Sequence, residues 1–295
     1  MKLLLMGTSS WVIPAFDCAA DEHDVIAVFT RAPKPAGRKQ ELQKSPVHLW
    51  AEGRGIPVYT NIKDFDDVVK KANGMDAAVV ASYGVILKEN VLNAARLGCI
   101  NIHPSDLPKY RGPSPMATAV YNGDRESMVC LMRVTPAVDS GDVLMRRPFS
   151  IGENDTTADV EKRVGEMSSE MVSEFLAAPE KYPPIPQVGE PTYTRKFTGD
   201  DEIIDWSRDA AAIHNQVRAI GGRTKINGMD VKILETRVVQ NPSDVGANNY
   251  SPLQYPELEI IAVQPAGKRP MDWKSFVNGL HGAAIEFGEG KTQKD

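Results

Sequence analysis

The stretch Lys2-Leu3-Leu4-Leu5-Met6-Gly7-Thr8-Ser9-Ser10 decides how the fold is read. Leu3 to Met6 form an unbroken apolar run, as in a strand covered on both faces. A glycine-led turn follows, then an amphipathic segment from Trp11 to Ala20. This order matches the first strand-to-helix crossover of an open α/β sheet. The turn lacks GxGxxG spacing, so it is not read as a dinucleotide site. The apolar run is too short for a secretion signal, and no later stretch approaches the ~20 apolar residues of a membrane span.

The same alternation continues outward. Asp24 to Thr30, Asp76 to Ser82, Cys99 to His103 and Ser127 to Val134 read as strands, with helical patterns at Pro46 to Glu52 and Asp64 to Ala72. Strand and helix in alternation predict βαβ units and a Rossmann-like, mainly parallel sheet over residues 1–185, closed by a helix from Thr157 to Leu176. Pro179, Pro183, Pro184, Pro186 and Pro191 then rule out a packed helix or central strand. We place a linker at 186–204. A short helix to about Ile220 leads into β-like runs at Val231 to Leu234 and Leu258 to Val263. Residues 205–295 therefore read as a small, OB-like β-barrel domain.

A length of 295 residues accommodates two such domains, and a net charge of -5 gives no global attraction to nucleic acid. Any RNA contact must come from a local basic surface. The three cysteines, Cys18, Cys99 and Cys130, are odd in number and far apart. They suit neither a disulfide framework nor a zinc site, and point to a reducing, cytoplasmic setting.

The chemistry concentrates in Gly98-Cys99-Ile100-Asn101-Ile102-His103-Pro104-Ser105-Asp106-Leu107-Pro108-Lys109-Tyr110-Arg111. Alternation along a strand puts Asn101 and His103 on one face. At the carboxyl end of a parallel strand that face opens onto the crevice where such sheets bind ligands. An amide donor can stabilise an oxyanion there, and an imidazole can move protons. A turn at Thr135 to Asp142, read as a loop at the same sheet edge, offers Asp139 to orient the imidazole and raise its pKa. Taken alone, the same residues also fit a backbone-satisfied histidine and an aspartate that holds a turn.

Asn101-Ile102-His103, Ser105-Asp106-Leu107-Pro108, Arg111-Gly112 and Pro115 resemble the signature of the folate-dependent formyltransferases, usually N-x-H-x-S-L-L-P followed by a basic residue and R-G. Asp139 to Asp142 is similar to that family's D-x-G-D-like turn. Within the family, the methionyl-tRNA formyltransferase branch is resembled by Lys2 to Pro14, the P-A-G-R loop, Ser45 to His48, Gly55 to Tyr59, Tyr193 to Trp206 and Gln264 to Gly279. The resemblance implies a catalytic trio of Asn101, His103 and Asp139, with a protonated His103 and Asn101 stabilising the oxyanion. The co-substrate implied is 10-formyltetrahydrofolate, held by Ser105, Asp106, Leu107 and Pro108 and by Tyr83, Gly84, Val85 and Leu87. No metal is implied.

The implied acceptor is initiator methionyl-tRNA. Arg31 to Lys39 carries four cations, Arg31, Lys34, Arg38 and Lys39, in a stretch whose prolines and glycine suggest an exposed, mobile loop. By resemblance it contacts tRNA, with Arg38 foremost. Second-domain candidates are Arg218, Arg223, Lys225, Lys232, Lys268 and Arg269. Departures from the family text are Asp106 for a leucine, Pro113-Ser114-Pro115 for an alanine-rich stretch, Gly221-Gly222-Arg223 for N-P-x-P-G, and Gln40 and Glu41 diluting the basic loop. The glycine pair suggests a shorter, more flexible junction. An amino sugar nucleotide is the alternative acceptor, and a monomer is the simplest state expected.

Overall fold

The computed structural model describes residues 1–36, 40–239 and 258–288. Its first elements are β1 (Lys2–Gly7), α1 (Ile13–Glu22), β2 (Asp24–Phe29), β3 (Lys34–Ala36), β4 (Glu41–Gln43), α2 (Pro46–Gly53), β5 (Val58–Tyr59) and α3 (Phe65–Lys71). β6 (Ala77–Ala81), α4 (Glu89–Leu92), β7 (Cys99–His103), α5 (Pro115–Asn122), β8 (Glu126–Arg133), β9 (Val143–Ser150) and α6 (Thr157–Ala177) follow. Two compact units emerge. One comprises Met1–Pro115, Glu126–Phe149 and Glu161–Arg195; the other comprises Met116–Arg125, Ser150–Val160 and the described residues from Lys196 onward.

In the first unit a seven-stranded sheet has the order β5-β2-β1-β6-β7-β8-β9. The pairs β1–β2, β2–β5, β1–β6 and β6–β7 are parallel. Leu3 to Met6 are fully buried, as a central strand covered on both faces requires. Chain order reverses between β1 and β6, so this is the switch point outside which open α/β sheets bind ligands. Gly7 ends β1 there for a steric reason. A Cβ would lie 2.7 Å from the Phe16 ring and 2.9 Å from the Ala81 carbonyl oxygen. The start of α2 at Pro46 is fixed by Ser45, whose Oγ accepts from the His48 N–H at 3.0 Å and shares a hydrogen bond with Thr30 Oγ1.

Two expectations need correction here. β8 runs antiparallel to β7, with His103 opposite Cys130 and Ile100 opposite Arg133. The Thr135 to Asp142 loop therefore leaves β8 at the opposite end of β7 from His103, not at the same sheet edge. The described part of the basic stretch is also not an irregular loop, because β3 and β4 pair as an antiparallel ribbon with Lys34 opposite Gln43 and Ala36 opposite Glu41. Gly37, Arg38 and Lys39 lie outside the described residues.

The proline-rich segment is bonded along its length. Ile185 exchanges both backbone hydrogen bonds with Val143, Thr192 N–H donates to the Pro108 carbonyl, and Thr194 N–H donates to Arg111. The prolines keep this strap extended and out of the ladder, while the residues between them still reach the site's loops.

The second unit holds α7 (Ala210–Ile220), β10 (Gly222–Ile226), β11 (Met229–Val238), β12 (Leu258–Pro265), β13 (Met271–Asp272), α8 (Trp273–Asn278) and β14 (Phe287–Gly288), its strands forming an antiparallel sheet of order β13-β12-β11-β10-β14. Ile213, Val217, Ile226, Ile233, Val263, Trp273 and Phe276 are among its core. The glycine pair is not a slack joint. Gly221 takes φ +89 directly after α7, and a Cβ on Gly222 would meet Ile204 at 2.6 Å.

Candidate active site

β7 presents Asn101 and His103 on one face, while Ile100 and Ile102 on the other are buried. His103 is only 4% exposed. Its Nε2 lies 2.9 Å from the Tyr110 carbonyl oxygen, which can only accept, so Nε2 carries the hydrogen. Nδ1 faces Asp139 Oδ2 at 3.6 Å. Burial is the largest influence on the imidazole and holds its pKa below the ordinary histidine value; Asp139 and the Tyr110 carbonyl oppose this, and Arg111 adds to it. The expected upward shift is thus reversed, because desolvation of a cation outweighs one nearby carboxylate. Burial favours the neutral form of the ring, in which Nδ1 is the nitrogen turned toward Asp139.

The Asp139 carboxylate is held from several sides. Oδ2 accepts from the Gly112 N–H at 2.8 Å, and Oδ1 accepts from Asn101 Nδ2 at 3.5 Å. Asp139 itself sits at φ +44, in the left-handed region. Two glycines beside this carboxylate have steric causes. A Cβ on Gly141 would stand 1.9 Å from the Arg133 carbonyl oxygen, and one on Gly112, at φ +110, would stand 2.9 Å from the Thr194 carbonyl oxygen. The R-G and D-x-G-D texts therefore encode close backbone approaches that deliver the carboxylate to the histidine.

Other sequence-derived residues sort by exposure. Ser105 and Leu107 are fully buried; Ser105 Oγ donates to the Lys109 carbonyl at 2.6 Å, and Leu107 packs with Cys130, Met132 and Val143. They shape the loop and have no surface to offer a ligand. Pro108 is half-buried, and its carbonyl receives the strap at Thr192. Asp106 is exposed and pairs with Arg146 Nη1 at 3.0 Å, which answers the leucine-to-carboxylate departure with a local countercharge. Tyr83 and Leu87 join the core beneath the sheet's end, and burial pushes the Tyr83 phenol up to about 12. Between them Gly84, at φ +74, has open space, and Val85 is exposed. Ile86, in the same turn, is 81% exposed.

Val80 of β6 pairs with Asn101 of β7, so the 82–87 turn and the Asn101–His103 pair share one end of the sheet. An exposed apolar turn beside a few polar groups suits a flat ring with a polar edge. Among the described residues no group of three His, Cys, Asp or Glu stands close enough to hold a metal ion, and no helix is long and apolar enough to cross a membrane.

Of the basic residues, Arg31 and Lys34 are exposed. Arg218 is not available to a polyanion. It is 6% exposed, and it donates to Asn215 Oδ1 at 2.9 Å and to the Asp155 carbonyl at 2.8 Å. Arg223 and Lys232 face each other across β10 and β11, next to the Lys225–Asp230 pair. Lys268 and Arg269 are exposed. Sequence reasoning also missed the Tyr110 carbonyl, Gly112 and Gln187 as parts of the site. Gly112 carried a signal, a glycine after a motif arginine; Gln187 carried none.

Family models described as Formyl transferase and as Formyl transferase, C-terminal domain match residues 1–176 and 196–281. The methionyl-tRNA formyltransferase of Gluconobacter oxydans (strain 621H) is 40% identical over 295 residues, covering 95% of this chain and 97% of that protein. That of Anaplasma phagocytophilum (strain HZ) is 35% identical over 299 residues, covering 97% and 99%. The solved methionyl-tRNA formyltransferase from Clostridium thermocellum gives a TM-score of 0.59 at 15% identity, over 98% of this chain and all of that one. An N-formyltransferase from Helicobacter canadensis, solved with folinic acid and dTDP-3-aminofucose, shares the fold at a TM-score of 0.61 and 20% identity, over 82% and 89%. Matched over nearly its full length by such relatives, the chain belongs to the methionyl-tRNA formyltransferase family.

Proposed function

We propose that this protein transfers the formyl group of 10-formyltetrahydrofolate to the free amino group of methionine on initiator methionyl-tRNA, as a monomer in the cytoplasm. The observation that carries the reading is the Asn101–His103–Asp139 cluster at the ligand-binding end of the sheet, in a chain related end to end to methionyl-tRNA formyltransferases. The folate supplies an activated formyl group. Its ring would lie against the 82–87 turn, whose exposed Val85 and Ile86 offer an apolar surface to the ring's face.

The chain's own residues then have defined tasks. One N–H of the Asn101 amide goes to Asp139, and the second serves the negative charge that develops on the formyl oxygen during attack. His103, neutral at rest, accepts through Nδ1 the proton lost by the attacking amine. The imidazolium so formed has an acceptor on each side, the Tyr110 carbonyl and the Asp139 carboxylate. His103 returns that proton to the folate nitrogen as its bond to the formyl carbon breaks, so a C–N bond forms, a C–N bond breaks and one proton is relayed.

Arg31, Lys34, Arg38 and Lys39, with Arg223, Lys225, Lys232, Lys268 and Arg269, are proposed to neutralise tRNA phosphates. The test is formyl transfer from 10-formyltetrahydrofolate to purified initiator methionyl-tRNA, with an amino sugar nucleotide in parallel. Formylated tRNA that vanishes in His103→Ala supports the reading. Transfer to the sugar alone replaces the acceptor, and undiminished turnover by His103→Ala refutes the mechanism.

A further inference from the structure

The strap that crosses the site carries one side chain whose whole hydrogen-bonding capacity is spent on the two loops around His103. Gln187 Nε2 donates to the Asp139 carbonyl at 2.9 Å and to the Gly141 carbonyl at 2.8 Å. Its Oε1 accepts from Arg111 Nε at 3.1 Å and from Arg111 Nη2 at 2.7 Å. Two N–H groups and two lone pairs are thus all used, and the guanidinium fixes which end of the amide is which.

The partners matter more than their number. Asp139 and Gly141 flank the left-handed turn that aims the carboxylate at His103 Nδ1. Arg111 lies between Tyr110, whose carbonyl takes the other imidazole N–H, and Gly112, whose N–H holds the carboxylate. The Arg111 backbone is bonded to the strap as well, its N–H to Thr192 and its carbonyl to the Thr194 N–H. Apolar anchoring nearby is slight: Ile185 is 60% exposed and Val188 is 84% exposed.

We propose that Gln187, braced by Arg111, is a positioning residue that holds Asp139 in register with His103 for proton transfer; the proposal rests on the formyl-transfer reading. Gln187 touches neither substrate nor reacting atoms. A carboxylate misplaced by about 1 Å can cost on the order of a hundredfold in rate. Replacing the amide should therefore lower kcat roughly ten- to a hundredfold. The KM for the folate should change little, since the folate-facing turn is elsewhere.

The experiment pairs Gln187→Met, which keeps the length and loses every hydrogen bond, with Gln187→Glu, which keeps the Arg111 acceptor and loses both donors. Each is measured for kcat and KM alone and on an Asp139→Asn background, and the His103 imidazole is titrated by NMR without substrate. Expected are a kcat loss in both single variants, no further loss on the Asp139→Asn background, and a His103 pKa that moves down as the carboxylate drifts away. Full activity in Gln187→Met, a loss that multiplies with that of Asp139→Asn, or an unmoved His103 titration overturns the proposal. A wild-type chain that transfers no formyl group sinks the functional reading instead, because the substrate-free titration still decides the positioning role.

Discussion

Asp139→Asn tests the proton relay most directly, because it removes a charge and keeps the shape. The carboxylate lies 3.6 Å from His103 Nδ1, in a site where the imidazole is almost fully buried. Attraction between unit charges at that separation is about 4.6 kcal/mol at an effective dielectric of ~20. Both charges are spread beyond the facing atoms, so roughly 3 to 5 kcal/mol is the appropriate range. This attraction exists only while His103 carries the amine's proton, so it acts on the barrier and not on ground-state binding. A second effect adds to it. Gly112 N–H and Asn101 Nδ2 both donate to the carboxylate, and an asparagine amide offers only one acceptor oxygen, leaving a donor facing a donor. The expected result is a kcat lower by two to four orders of magnitude, about 1.4 kcal/mol per factor of ten, with the folate KM within a few-fold of wild type. Steady-state formylation of initiator methionyl-tRNA reads both constants. A kcat loss below tenfold would refute the reasoning, since His103 would then not need a countercharge on its Nδ1 side.

Four further outcomes follow from the structure. Gly141→Ala places a methyl 1.9 Å from the Arg133 carbonyl oxygen, backbone against backbone, so the Asp139 turn must move; activity should fall at least as far as in Asp139→Asn while circular dichroism keeps the native helix content. His103 and His214 are both held below the ordinary histidine value, chiefly by burial, so the unfolded chain binds more protons than the folded one as pH falls through 6.5. Stability should be highest above that pH and decline on acidification by up to about 1.4 kcal/mol per pH unit for each histidine. Urea unfolding at pH 7.5 and 5.5 checks this, and His214→Gln should flatten the slope. Finally, Arg223→Ala with Lys232→Ala should weaken tRNA binding and reduce its logarithmic salt slope by about 2, with little effect on melting. Arg218→Ala should instead leave tRNA binding intact and cost on the order of 2 kcal/mol of stability, since it removes the hydrogen bonds to Asn215 Oδ1 and the Asp155 carbonyl.

Much of the fold was legible because its strongest signals are local. Unbroken apolar runs at Leu3 to Met6 and Ala77 to Ala81 are what doubly covered strands require, and both are buried. Pro46 behind Ser45 marks a helix start that Ser45 caps. β9 was passed over because Met145 to Ser150 places two arginines and a proline in the strand, a composition tolerated near a sheet edge. α5 was passed over because its eight residues follow a run of prolines and carry little periodicity.

The site divides along the same line. Asn101 and His103 share a strand, so period-two alternation brings them together without knowledge of anything else. Asp139 was picked out correctly as the carboxylate near His103 but for a wrong reason, since an antiparallel β8 carries its loop away from the imidazole before the turn brings it back. Direction of pairing is a tertiary property that the text of β8 does not state. The balance of influences on the imidazole was not legible either. Sequence shows a carboxylate within reach but not the near-total burial of the ring, and burial decides the balance. A neutral resting histidine is also the better base, because a ring already protonated has no lone pair with which to take the amine's proton. The Tyr110 carbonyl holds the Nε2–H throughout, and Asp139 on the other side acts after transfer, when there is a cation for it to attract. On the proposed mechanism the three-residue cluster accepts one proton and gives it back, and that role depends on depth in the fold as much as on the residues themselves.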